Sequence, residues 1–172
     1  THCISSAASD VYKRQGLDDT YKFAKGEPML NMFGEQMQIS RPLDFAAVTD
    51  HAETFGLQES CADPEITEES KITCTRLESP SYRFFFDLRE TSVARPPVSI
   101  MSAAIGDKEK EERFIKSTWN KIIKAADNHN EPGKFTTFVA YEYSPTLPDG
   151  GYNHRNIISV SYTHLRAHET RE

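Results

Sequence analysis

From Asp107 onward the chain carries its clearest periodic signal. Glu109, Glu111 and Glu112 crowd the first turns, where carboxylates favour the positive end of a helix dipole. Phe114, Ile115, Thr118, Trp119, Ile122, Ile123 and Ala126 then recur at the spacing that lines one face of a helix. The stripe predicts a helix ending near Asn128, ahead of Pro132-Gly133. Such a stripe has to be buried against another apolar element, and the flanking segments supply candidates. Residues 43–49 (LDFAAVT) and 135–143 (FTTFVAYEY) are short and rich in apolar, β-branched or aromatic side chains, and 156–160 (NIISV) is similar. The first is nearly continuous in apolar residues and reads as a strand covered on both faces. The order strand, insertion, helix, strand, loop, strand belongs to the α/β class.

Upstream, Leu17-Asp18-Asp19 reads as an N-cap for a short helix containing Tyr21, Phe23 and Ala24, which Gly26 can end before Pro28. Residues 29–41 read as a loop or weak hairpin about Gly34. Residues 56–106 have weak periodicity, an acidic start (ESCADPEITEES) and an aromatic cluster at Tyr82, Phe84, Phe85 and Phe86; so long a stretch suits an insertion with short helices better than a bare loop. The 172 residues suit one domain, and 10 Phe, 7 Tyr and one Trp can fill a core, which excludes a wholly disordered or collagen-like chain. A balance of 20 Lys+Arg against 26 Asp+Glu, without a basic patch, argues against a nucleic-acid partner. No run approaches the roughly 18 apolar residues of a membrane span.

The ends read differently. Residues 1–15 and 159–172 lack periodicity, and DVYKRQ and SYTHLRAHET resemble translated sequencing-adaptor read-through. The expected native segment is therefore 16–158, a piece cut at both ends, and His2, His164, His168 and Cys3 drop out as ligands. Cys61 and Cys74 remain, 13 positions apart, a spacing that fits neither a zinc nor a redox CxxC motif. They form either a disulfide or two free thiols. A bridge would contribute about 3 kcal/mol through chain entropy and imply an oxidising compartment.

Chemistry concentrates at strand ends. Thr49-Asp50-His51-Ala52-Glu53 follows the first strand directly, and in α/β folds functional side chains converge at the carboxyl ends of strands. Asp50 and His51 could ligate a divalent metal, or Asp50 could orient a ligating imidazole. The alternative is a solvated helix start with Asp50 as cap and Glu53 as its capping-box partner. Glu142 ends the second strand, and the chain returns after a Gly/Pro loop through Asn153-His154-Arg155. If these strands are neighbours, carboxylate and imidazole meet at one end of the sheet, as a mixed zinc, manganese or iron site needs.

DDTYKFAKGEP, RPLDFAAVTDHAE, FTTFVAYEYS and GGYNHRNIIS together resemble the family called domain of unknown function 3604, a branch of the polymerase-and-histidinol-phosphatase (PHP) superfamily of metal-dependent hydrolases. The resemblance implies a partial, distorted (β/α)7 barrel, incomplete at both ends, with two or three divalent metal ions (Zn, Mn or Fe) in the intact parent. It implies His51, Glu142 and His154 as metal ligands, Asp50 as a ligand or its partner, and Arg155 facing an anionic ester or phosphoester substrate. It includes many exported proteins, so a periplasmic or secreted parent is favoured. The family's opening HxH motif and its later Asp/His pair have no counterpart here, so this segment is expected to lack half the ligands and to be inactive or poorly folded. The competing reading is a non-catalytic binding module.

Overall fold

The computed structural model describes residues 16–31, 34–78, 83, 86, 107–144 and 153–159. Helix α1 (Leu17–Ala24) starts from Gly16, one turn earlier than expected: Asp18 and Asp19 occupy its first turn, and Asp19 Oδ2 reaches back to accept the Gly16 amide at 3.4 Å. Strands β1 (Met29–Leu30) and β2 (Gln36–Met37) then pair antiparallel, so the weak hairpin forms.

Three further strands make the central sheet: β3 (Phe45–Val48), β4 (Thr136–Tyr143) and β5 (Arg155–Ser159), in that order. β3 runs parallel to β4, with Val48 opposite Val139, while β5 returns antiparallel, with Glu142 opposite Asn156. The α/β class stands. The described strands form an open mixed sheet with β3 and β5 outermost, not a closed barrel.

Between β3 and β4 come a 3-10 turn (Ala52–Thr54), α2 (Leu57–Cys61), α3 (Glu68–Glu78) and α4 (Lys108–His129). Two helices, α2 and α3, lie in the described part of residues 56–106, whereas the aromatic cluster at 82–86 falls largely outside the described residues. A disulfide joins Cys61 to Cys74, with Cα atoms 5.6 Å apart, and so ties α2 to α3. The Asp107 side chain accepts from the Glu109 and Lys110 amides, satisfying two of the donors that a helix start leaves open. No helix among the described residues is long and apolar enough to cross a membrane.

Alternation along the strands decides which face does what. Ala46, Val48, Val139 and Tyr141 point to the helical layer, where they meet Tyr21 and Ala24 of α1 and Ile122, Ala125 and Ala126 of α4. Phe55 and Trp119 stack 6.1 Å apart beside Tyr141. The other face carries Phe45 and Phe138 as an edge-to-face pair, and Ile158. Among the described residues Phe45 remains 50% exposed and Ile158 52%, so this second face is only partly covered and the start of β3 lies open on it, where its apolar sequence suggested cover on both faces.

Candidate metal centre

The register that builds the sheet also gathers its ionisable groups. Beyond the last residue of β3 the parallel pairing resumes at one bridge, His51 opposite Glu142, locked by the Glu142 amide donating to the Asp50 carbonyl at 2.8 Å. Directly opposed residues share a face, and so do residues two apart on one strand. His51, Glu142, Ser144 and His154 therefore all project on the side away from the helices. His51, Glu142 and His154 each present a ligand atom within 4.8 Å of the others.

Glu142 is the hub. It is 5% exposed, and its Oε1 lies 2.6 Å from His154 Nδ1 and 3.7 Å from His51 Nε2. The Ser144 hydroxyl donates to the same oxygen at 3.0 Å and sits 2.8 Å from His154 Nδ1. The two imidazoles meet edge to face, 5.9 Å between centroids. On the other side of His51, Glu53 Oε1 accepts the Ser144 amide at 2.6 Å, and Glu53 Oε2 lies 3.5 Å from His51 Nδ1. Two buried polar atoms in this stretch, Thr49 Oγ1 and Glu53 Oε2, have no regular hydrogen bond among the described residues.

Charge follows this geometry. Glu53 at Nδ1 is the main cause that raises the His51 pKa above the ordinary imidazole value; burial opposes the rise, and Glu142 and Asp50 reinforce it. For Glu53 itself burial is the largest influence and acts upward. The imidazole and the Glu53 and Ser144 amides together outweigh it and hold the carboxyl below the usual range.

Donor chemistry fits a divalent cation. Two imidazoles and one carboxylate form a borderline set suited to zinc, manganese or iron. A four-coordinate ion with donors about 2.0–2.2 Å away separates them by roughly 3.3–3.6 Å, close to the 3.7 Å between His51 Nε2 and Glu142 Oε1. The shorter His154–Glu142 contact is a hydrogen bond, which cation binding would have to open. A serine-nucleophile relay fits poorly: the Ser144 hydroxyl donates to Glu142 rather than to an imidazole, and at His154 serine and acid approach the same ring nitrogen, whereas a relay needs opposite ones.

The other two expected site residues are not in the three-residue group. Arg155 pairs with Tyr143, so alternation turns it to the helical side of the sheet, away from His154. Asp50 precedes His51 and turns likewise; its charge is felt by both the Tyr21 phenol and His51, but it is not in the three-residue group. Nor does a capping box form, because the turn starts at His51 with no side-chain cap. Glu53 and Ser144 were not expected at the site. The TDHAE spacing gave Glu53 a local role, and nothing local to the sequence marks its reach across to β4.

An open α/β sheet with a His/carboxylate cluster at its strand ends defines the class. The chain belongs to the family described as protein of unknown function (DUF3604), whose model matches residues 1–170. That span includes residues 1–15 and 159–170 of the two flanking stretches, which lie outside the described residues apart from Ser159. No curated protein and no solved structure matches the chain.

Proposed function

We propose that His51, Glu142 and His154 hold a divalent metal ion in a metal-dependent hydrolase of the PHP type, acting on a small ester or phosphoester. The convergence of the three groups on one side of the β3–β4–β5 sheet carries the reading. His51 would bind through Nε2 and His154 through Nδ1, the nitrogens that face Glu142. Glu142 supplies the anionic donor and, being buried, holds its charge where water screens it little. Bound there, zinc, manganese or iron supplies Lewis acidity and a water acidic enough to attack near neutral pH. The Ser144 hydroxyl orients the Glu142 carboxylate from beside the cluster. A barrel completed by further strands and ligands belongs to the same proposal.

Calorimetry of the metal-free protein with Mn2+ and Zn2+ tests it. The expected result is saturable binding that His51→Ala and Glu142→Ala each weaken at least tenfold while the fold is retained. Equal affinity in both variants would overturn the site and favour a binding module in which the cluster is structural. Turnover of an aryl phosphoester by the protein, lost on chelation and restored by metal, tests the hydrolase step.

A further inference from the structure

Glu53 stands out as a half-buried carboxylate joined to the cluster without belonging to it, with one of its two oxygens fully shielded. It lies in the 3-10 turn between β3 and α2, yet its Oε1 accepts the amide of Ser144 at the far end of β4, at 2.6 Å. This bond fixes the turn to the strand that carries Glu142. Its second oxygen is thereby aimed at His51 Nδ1, 3.5 Å away. Oε2 is shielded from solvent and has no regular hydrogen-bond partner among the described residues. A buried carboxylate oxygen left without a donor is costly, and the imidazole beside it relieves that cost only if its proton sits on Nδ1.

We propose that Glu53 is the positioning residue of this centre: it holds the His51 proton on Nδ1 and so keeps the Nε2 lone pair directed at Glu142 and the cation. The inference rests on the metal reading above, because His51 Nε2 is the ligand atom that reading assigns. Carboxylates behind ligating imidazoles set tautomer and ring orientation and raise donor strength. The Ser144 hydroxyl also lies within 3.4 Å of Nδ1, but it donates to Glu142 and carries no charge with which to hold the imidazole proton. Glu53 touches no ligand atom of the cluster directed at the cation; it acts through His51.

Glu53→Gln isolates the effect. Its carbonyl can still accept the Ser144 amide, while its NH2 now faces Nδ1 and favours the lone pair there, moving the imidazole proton to Nε2. Long-range 1H–15N correlation spectra of the metal-free protein above pH 8 report the His51 tautomer directly. The expected result is Nδ1–H in wild type and Nε2–H in Glu53→Gln, with Ser144→Ala leaving the wild-type tautomer in place. Calorimetry with Zn2+ is expected to show affinity falling 10–100-fold in Glu53→Gln, part of which Glu53→Asp restores. An unchanged tautomer, or affinity within threefold of wild type, would overturn the role of Glu53 even if metal binds. Wild-type protein that binds neither Zn2+ nor Mn2+ would instead overturn the metal reading, and the tautomer measurement would separate the two failures. Circular dichroism of each variant shows whether an affinity loss reflects misfolding, in which case Glu53 is structural and the inference falls.

Discussion

Tyr21 shows how one residue ties the core to the site. It is 1% exposed, stacks on His129 with centroids 5.3 Å apart, and meets the Phe135 ring edge to face. Burial pushes its phenol up to about 12; the Val48 amide pulls the other way, and the nearby Asp50 charge adds to the rise. A raised folded-state value means that the fold favours the protonated phenol. Its contribution is therefore complete below the unfolded value of 10 and is lost as pH climbs from 10 towards 12. A shift of this size corresponds to on the order of 2–3 kcal/mol. Denaturant unfolding of wild type and Tyr21→Phe at pH 9, 10, 11 and 12 checks it, since the variant shares every other titration. Wild type is expected to lose that much stability relative to the variant across the window; parallel curves would show that the phenol ionises freely. Individual residues were legible unevenly. His51, Glu142 and His154 could be read from their positions at strand ends, because a turn after an apolar run places a polar side chain at the sheet's rim. Arg155 could not be placed without the register: neighbours on a strand face opposite ways, and only the pairing of Tyr143 with Arg155 shows which way each points. Glu53 acts across 91 positions on Ser144, a tertiary contact that no local spacing encodes.

The elements with internal periodicity were the ones that the sequence defined best. Helix α4 carries its own cap at Asp107 and its own stripe, so it was legible from residue types alone. The seating of α2 against it was not. Gly56 enters α2 with φ at 83°, a conformation that side chains rarely adopt, and a Cβ there would lie 2.7 Å from the Phe114 carbonyl carbon and 2.8 Å from the Ile115 nitrogen. The Gly56 amide also donates to Thr118 Oγ1 at 2.8 Å. The α4 backbone thus packs directly on the turn that follows Glu53, and no side chain at 56 can be accommodated without moving one of them. Gly56→Ala is expected to cost about 2–4 kcal/mol, combining left-handed strain with overpacking. Thermal or urea unfolding measures it, and a loss below about 1 kcal/mol would mean that turn and helix separate easily. The disulfide lay equally beyond sequence reading: two cysteines 13 positions apart meet only because α3 doubles back on α2.

At the scale of the molecule, the cluster fastens pieces that the sheet alone joins loosely. His51 lies past the end of β3, Glu142 near the end of β4 and His154 just before β5, so one ion bound to all three would cross-link the rim of the whole sheet. β5 needs such a link most, because four of its five residues are exposed and the face bearing Phe45 and Ile158 is open among the described residues. Binding to the folded state alone stabilises it by about 2.7 kcal/mol at a hundredfold excess over Kd. For a chain of this size that corresponds to a rise in melting temperature of roughly 5–10 °C. His154→Ala provides the control: it removes a partner of the buried Glu142 carboxylate, so truncation is expected to lower the metal-free melting temperature and to abolish the metal-induced rise measured from that new baseline. Scanning calorimetry of both proteins with and without Zn2+ makes the comparison. An equal rise in the variant would assign the binding to another group of carboxylates, such as Asp63 and Glu65 beside Lys110, and would leave the rim of the sheet without its ion.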